Sequence, residues 1–250
     1  MFERQIMTHL RQWKGKSNHK PLVLRGARQV GKTTVIDAFG KEFDNYLYFN
    51  LDEDGDRALF ERKISLDDLI DSLFARLGIR KKEGSILLFI DEIQSSPQTI
   101  SLLRYFKEKR PDIHVISAGS LLENVVDVKV SFPVGRVDYM ALRPCSFYEF
   151  LTALGKDNLR YFIDHPEQSV AVHDELMSLF NQYTIVGGMP EVVQEYANTR
   201  DVLALDDIYE SLLQGYKDDV EKYVQSGKLA EVVRFLISAS WTKAGQAVTL

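Results

Sequence analysis

Pro21-Leu22-Val23-Leu24-Arg25-Gly26, continuing Ala27-Arg28-Gln29-Val30-Gly31-Lys32-Thr33-Thr34, decides how this chain is read. The apolar opening reads as a short buried strand. From Gly26 to Thr33 the residues match G-x-x-x-x-G-K-[ST]. Each residue type in that pattern suits an anion. Gly26 and Gly31 permit backbone angles that turn successive N–H groups inward, so Ala27, Arg28, Gln29 and Val30 present their backbones to phosphate oxygens. Lys32 reaches the β- and γ-phosphates, and the Thr33 hydroxyl, followed by Thr34, is placed to ligate Mg²⁺. The helix starting at Lys32 aims its positive end at the same anion. A chance match in a chain of this length has odds of about one in a hundred, and the strand before and helix after supply the required context.

Working outward, Phe2, Ile6, Leu10 and Trp13 give residues 2–13 the spacing of an amphipathic helix. Lys32 to Phe43 reads as a helix and Tyr46 to Leu51 as an aromatic-rich strand. Leu66, Leu69, Ile70, Leu73, Phe74 and Leu77 predict a core-facing helix stopped by Gly78. Ser85 to Ile90 is a third strand, Gln98 to Lys109 a helix ended by Pro111, Ile113 to Ala118 a fourth strand and Val137 to Leu142 a fifth. Strands apolar on both faces, alternating with helices, imply an α/β three-layer domain around a five-stranded parallel sheet. From Ser146 helices dominate, with one long stripe from Val202 to Tyr223. The expected domains are an α/β unit over 1–145, a helical lid over 146–225, and the start of a further region over 226–250.

Ile86-Leu87-Leu88-Phe89-Ile90 runs straight into Asp91-Glu92. Ligands of open α/β sheets bind at the carboxyl ends of the strands, which places this acidic pair beside the phosphate loop. Asp91 would hold Mg²⁺, directly or through water, and Glu92 would orient or deprotonate the attacking water. Binding alone needs only the aspartate, so the pair favours hydrolysis over a non-hydrolysing module that uses ATP as glue. Asn50 ends the second strand and, in a sheet ordered 5-1-4-3-2, neighbours the acidic strand. Two readings stand for it: a carboxamide restraining Glu92, or an Asn entering the Leu51-to-Gly55 turn. Ser120, preferred to Ser117, lies where a hydroxyl meets the γ-phosphate or the water; its bland alternative is close packing of small residues. Arg136 precedes the fifth strand, placed to stabilise γ-phosphate charge in its own subunit or a neighbour, or else to be a surface charge. His165 and His173 have no ligand-like spacing.

Composition excludes other classes. The 250 residues are 45% hydrophobic and 27% charged, an ordinary globular profile. A net charge of −5 argues against non-specific nucleic-acid binding through charge alone. No apolar run approaches the ~18 residues of a membrane span. A single cysteine, Cys145, fits a reducing compartment, so a cytoplasmic location is expected.

These residues together resemble the AAA+-type P-loop ATPases. More narrowly, they resemble a bacterial and archaeal family pairing an N-terminal ATPase domain with a C-terminal domain of unknown function. The segments LRGARQVGKTT, YFNLDED, LLFIDEIQ, ISAGSLLE, FPVGRVDYMALRPCSFYEFL and YTIVGGMPEVV carry the resemblance. It implies ATP and Mg²⁺ as ligands and a role as an ATP-driven conformational switch, with an unnamed protein partner. Lys32, Thr33, Asp91 and Glu92 become ATP, Mg²⁺ and catalytic residues. Ser120 becomes a sensor, and Arg136 an arginine finger facing the next copy of a homo-oligomer. Family members continue through a winged-helix-like segment, and the chain stops at Ala247-Val248-Thr249-Leu250. A truncated chain is therefore expected, with any nucleic-acid contact lying in the missing part. A nucleic-acid motor or loader is the alternative, because Asp91-Glu92-Ile93-Gln94 matches the DExQ element of some helicases. Such motors need two α/β domains. A nucleotide kinase would carry an arginine-rich lid after 145, and a GTPase an N-K-x-D motif; the sequence has neither.

Overall fold

Strand and helix alternate through the first half of the chain, as the apolar runs predict. The computed structural model describes residues 2–119, 135–223 and 227–243. Helix α1 (Ile6–Lys14) precedes β1 (Leu22–Arg25), and α2 (Lys32–Gly40) leads to β2 (Asn45–Asn50). Helices α3 (Asp54–Phe60) and α4 (Leu66–Leu77) precede β3 (Ile86–Asp91), α5 (Pro97–Lys109) leads to β4 (Ile113–Gly119), and β5 (Asp138–Ala141) follows. Among the described residues these strands form one sheet in the order β2-β3-β4-β1-β5, every pairing parallel. That is the expected order read from the opposite edge.

The alternation of β3 builds the layers. Ile86, Leu88 and Ile90 join Leu47 and Phe49 against α3, α4 and α5, while Leu87 and Phe89 join Leu22, Leu24 and Ile116 against α1 and α2. Each such side chain fully withdrawn from water contributes about 1.5–3 kcal/mol. Helix ends follow local chemistry. The Ser65 and Ser96 side chains accept from the backbone N–H groups of Asp68 and Thr99, and Gly78 ends α4 at φ +65°.

Two differences from the sequence reading have physical causes. Helix α1 starts at Ile6 rather than residue 2 because Arg4 and the Gln5 backbone N–H are drawn away onto the Glu149 carboxylate. Helix α3 is not legible in Asp52-Glu53-Asp54-Gly55-Asp56, whose composition reads as a turn. The turn does form at Asn50–Glu53, and Leu59 and Phe60 then sink into the core and carry the chain on as a helix.

The second half is helical: α6 (Phe147–Ala153), α7 (Arg160–Asp164), α8 (His173–Val186), α9 (Pro190–Thr199), α10 (Asp206–Tyr223) and α11 (Gly227–Lys243). Phe150, Leu151, Val186, Val192, Val193 and Leu205 form its separate core. The long stripe expected from Val202 begins as a helix at Asp206, after a 3₁₀ turn at Leu203–Leu205. Of the region 226–250 the structure describes only α11. Among the described residues, no helix is long and apolar enough to cross a membrane.

One buried ion pair ties the two halves together. Arg4 Nε donates to Glu149 Oε1 at 2.8 Å, with both side chains 7% exposed. The rest of the guanidinium donates to the carbonyls of Val30 (3.0 Å) and Arg143 (2.7 Å). Glu149 also completes a capping box with Ser146 at the start of α6. Arg4→Met should therefore cost about 3–5 kcal/mol, since Glu149 would remain charged and buried. Combining it with Glu149→Leu should restore only part of that, because the Val30 and Arg143 carbonyls stay unpaired. Urea denaturation of the two single variants and the double variant measures the cycle, and additive losses would show that the pair is not coupled.

Candidate nucleotide-binding site

The loop after β1 is shaped by its glycines. A Cβ on Gly26 would stand 2.4 Å from the Leu142 carbonyl oxygen, so only glycine lets β1 and the segment after β5 approach this closely. Gly31 takes φ +87° at the N-terminus of α2, a left-handed conformation that glycine accepts without strain. Lys32 Nζ donates to the carbonyls of Gly26 and Ala27, both at 2.8 Å. Burial pushes the Lys32 ammonium below its ordinary range, against the opposing pull of Glu92 and Asp91.

From the end of β3, Asp91 faces this loop. Thr33 Oγ1 donates to Asp91 Oδ2 at 2.6 Å, and the Glu92 backbone N–H donates to Asp91 Oδ1 at 3.0 Å. A hydroxyl and a carboxylate, both hard oxygen donors from facing elements, are the protein share of a Mg²⁺ shell that phosphate oxygens and waters complete. Among the described residues, no cluster of three His, Cys, Asp or Glu offers a self-sufficient metal cage. The residues present fit Mg²⁺ bound together with a phosphate substrate.

Glu92 sits at φ +48°, ψ +45°, a left-handed conformation that is uncommon for a residue with a side chain. Gln94, on the following 3₁₀ turn (Ile93–Ser95), donates from Nε2 to Glu92 Oε2 at 2.5 Å. This corrects one of the two readings of Asn50. The Asn50 Oδ1 accepts the Asp52 backbone N–H at 3.1 Å, so its carboxamide oxygen serves the turn, and the carboxamide on Glu92 belongs to Gln94.

Asp91, Glu92, Arg28, Gln29 and Gly31 to Thr34 line a cavity of about 980 Å³. Its other walls come from Phe2, Arg4 and Met7 ahead of β1, from Pro190 and Gln194 of α9, and from Tyr216 of α10. Tyr216 donates its hydroxyl to the Arg28 carbonyl at 3.5 Å. Three loop residues expected at the ligand behave differently. Gly26 and Ala27 turn their carbonyls to Lys32, and the Val30 side chain is fully buried while its carbonyl accepts from Arg4.

The other candidates among the described residues do not line the cavity. Arg136 pairs with Glu108 on α5 at 3.4 Å, half-exposed. Ser120 lies outside the described residues. Ser117 is fully buried and donates to the Leu22 carbonyl at 3.4 Å, a packing role within the sheet. His165 stacks on Tyr161 with ring centroids 4.0 Å apart. Sequence reasoning missed Arg4, Gln194 and Tyr216, because their approach to the loop depends on how the helical half docks. The Gly187-Gly188-Met189-Pro190 turn that starts α9 was the visible signal.

Comparison with known proteins agrees with this fold. A family model described as an AAA domain matches residues 18–151, more than half of the chain, and a Domain of unknown function (DUF8612) matches residues 177–247. Among solved structures, the chain is similar to the Walker-type ATPase PABY2304 of Pyrococcus abyssi. That match has 17% identity and a TM-score of 0.51, covering 100% of this chain and 86% of that one. A match to the structure of Drosophila ORC bound to DNA has 16% identity and a TM-score of 0.45, covering 96% of this chain and 67% of that one. At these identities the likeness is one of fold. No curated protein matches the sequence.

Proposed function

The chain belongs to the AAA-domain family, and on that premise we propose that it binds ATP with Mg²⁺ and hydrolyses it as a conformational switch. The observation that carries the reading is the meeting of Thr33, Asp91 and Glu92 with Lys32 on one wall of the cavity. A P-loop with Asp91 alone would serve for binding. Glu92 adds a carboxylate within the same wall, able to take a proton from water.

In this reading Lys32 leaves the Gly26 and Ala27 carbonyls for the β- and γ-phosphates, and the loop's N–H groups hold the remaining oxygens. Thr33 and Asp91 hold Mg²⁺, which neutralises charge on the phosphates when bound. Glu92 orients the attacking water and accepts its proton. Phe2, Met7 and Pro190 offer an apolar slot for the base, with Gln194 at its edge. Helices α9 and α10 would then act as a lid, because each contributes to the cavity wall. Arg136, held by Glu108 away from this cavity, would act on a nucleotide bound by another copy of the chain. The single Cys145, buried with its thiol pushed up to about 12, is inert and consistent with a cytoplasmic setting.

Calorimetry with ATP and GTP, with and without Mg²⁺, tests the proposal together with phosphate release from ATP. One Mg²⁺-dependent ATP site, weaker binding of GTP and measurable turnover are expected. Absence of nucleotide binding would overturn the reading, and binding without turnover would reduce it to an ATP-dependent interaction module.

A further inference from the structure

Among the described residues, Gln94 is the side chain that donates a hydrogen bond to the Glu92 carboxylate, and it has no place in the nucleotide chemistry described above. Its Nε2 donates to Glu92 Oε2, a hydrogen bond strengthened by the charge on its acceptor. The turn that carries it is firmly anchored. Ile93 is fully buried, the Ser95 backbone N–H donates to the Glu92 carbonyl at 3.0 Å, and Ser95 Oγ donates to Asp52 at 2.6 Å. The other carboxamide near this strand end, that of Asn50, is engaged by the Asp52 backbone. Among the described residues Gln94 Oε1 is itself buried with no hydrogen-bond partner, an arrangement that costs free energy.

We propose that Gln94 is a positioning residue for Glu92: it fixes the carboxylate through Oε2 and leaves Oε1 of Glu92 to face the attacking water. This rests on Glu92 acting as the base in ATP hydrolysis. The logic is that of an orienting group behind a general base, in which one oxygen is pinned so that the other keeps a single direction. Among the described residues, the Gln94 amide is the hydrogen-bond donor to the Glu92 side chain, so that contact sets its orientation. The unpaired Gln94 Oε1 is then an acceptor available to a water drawn into the site, on the same amide that holds the base.

Gln94→Met keeps the length and bulk of the side chain and removes only its polar atoms, so the turn still packs. In the full chain, kcat for ATP hydrolysis should fall about 10- to 100-fold, the cost of roughly an ångström of misplacement, while ATP·Mg²⁺ affinity and KM stay within about twofold of the parent. In a Glu92→Gln background the same substitution should change nothing further, because the residue acts only through that carboxylate. A second readout needs no turnover. The Gln94 side-chain amide resonances, assigned by their loss in Gln94→Met, should move in nucleotide-free Glu92→Ala protein. A parent that fails to hydrolyse ATP would remove the functional reading, and the resonance shift would still decide whether the contact exists. A hydrolysing parent whose Gln94→Met variant keeps its kcat, or loses ATP affinity in equal measure, would overturn the proposal. So would a rise in kcat, which would make Gln94 a brake rather than a support.

Discussion

Glu92→Gln should leave ATP·Mg²⁺ bound and slow its hydrolysis by about a hundred- to ten-thousandfold, the range that a positioned general base contributes. The structure makes this a clean substitution. Gln is nearly isosteric with Glu, so the left-handed backbone at φ +48° gains no new clash. The amide of Gln94 can still donate to the carbonyl oxygen of the new side chain, in place of the carboxylate oxygen it holds at 2.5 Å. What disappears is basicity, since an amide oxygen does not take a proton from water near neutral pH. Thr33, Asp91 and Lys32 keep their positions, so nucleotide affinity should change little. Calorimetry on the variant should therefore report near-parental ATP binding, while a single-turnover assay reports almost no phosphate release. If phosphate release continued at the parental rate, the proton would have to leave by another route, and Asp91, 2.6 Å from the Thr33 hydroxyl, would be the first residue to test.

The sheet was legible above all from β3, which is buried on both faces and carries no polar residue from Ile86 to Ile90. Ile86 to Ile90 announces itself, and the loop between Gly26 and Thr33 announces where its ligand lies. The acidic pair followed from the rule that strand ends face the ligand. Less was legible where geometry depends on a single backbone angle. Gln94 is close to the acidic strand end along the chain, whereas Asn50 lies beside it across the sheet, where a carboxamide on Glu92 was one of its two readings. In the structure Glu92 takes a left-handed backbone and its carboxylate accepts from Gln94, two residues on in the same turn. Arg4 was hidden for a different reason. Its partners, Glu149, Val30 and Arg143, are far apart in sequence and meet only when the helical half packs against the loop. A local pattern holds no record of such a meeting. The walls given by Pro190, Gln194 and Tyr216 are illegible for the same reason.

Lys32→Met should weaken ATP·Mg²⁺ binding about a hundredfold or more, as expected when the cationic partner of a buried phosphate contact is truncated. Methionine retains the stem that packs in this buried position and removes the ammonium that now serves the Gly26 and Ala27 carbonyls. A further consequence follows from the direction in which burial moves Lys32. In the nucleotide-free protein its pKa lies below the ordinary 10.5, chiefly through desolvation, with Glu92 and Asp91 pulling the other way. Phosphate oxygens brought within hydrogen-bond reach favour the charged form and raise that pKa again. At a pH between the lowered value and 10.5, free protein therefore carries fewer protons on Lys32 than bound protein, and ATP binding must take up a fraction of a proton. The uptake should fade as the pH falls below that lowered value, where Lys32 is charged in both states. Calorimetry in two buffers of different ionisation enthalpy measures it directly: the parent should show uptake that grows into the alkaline range, and Lys32→Met should show none from this site. Equal ATP affinity in parent and variant, or alkaline proton uptake that survives in Lys32→Met, would mean that another cation answers the phosphates, and Arg28 in the same loop is the side chain placed to do so.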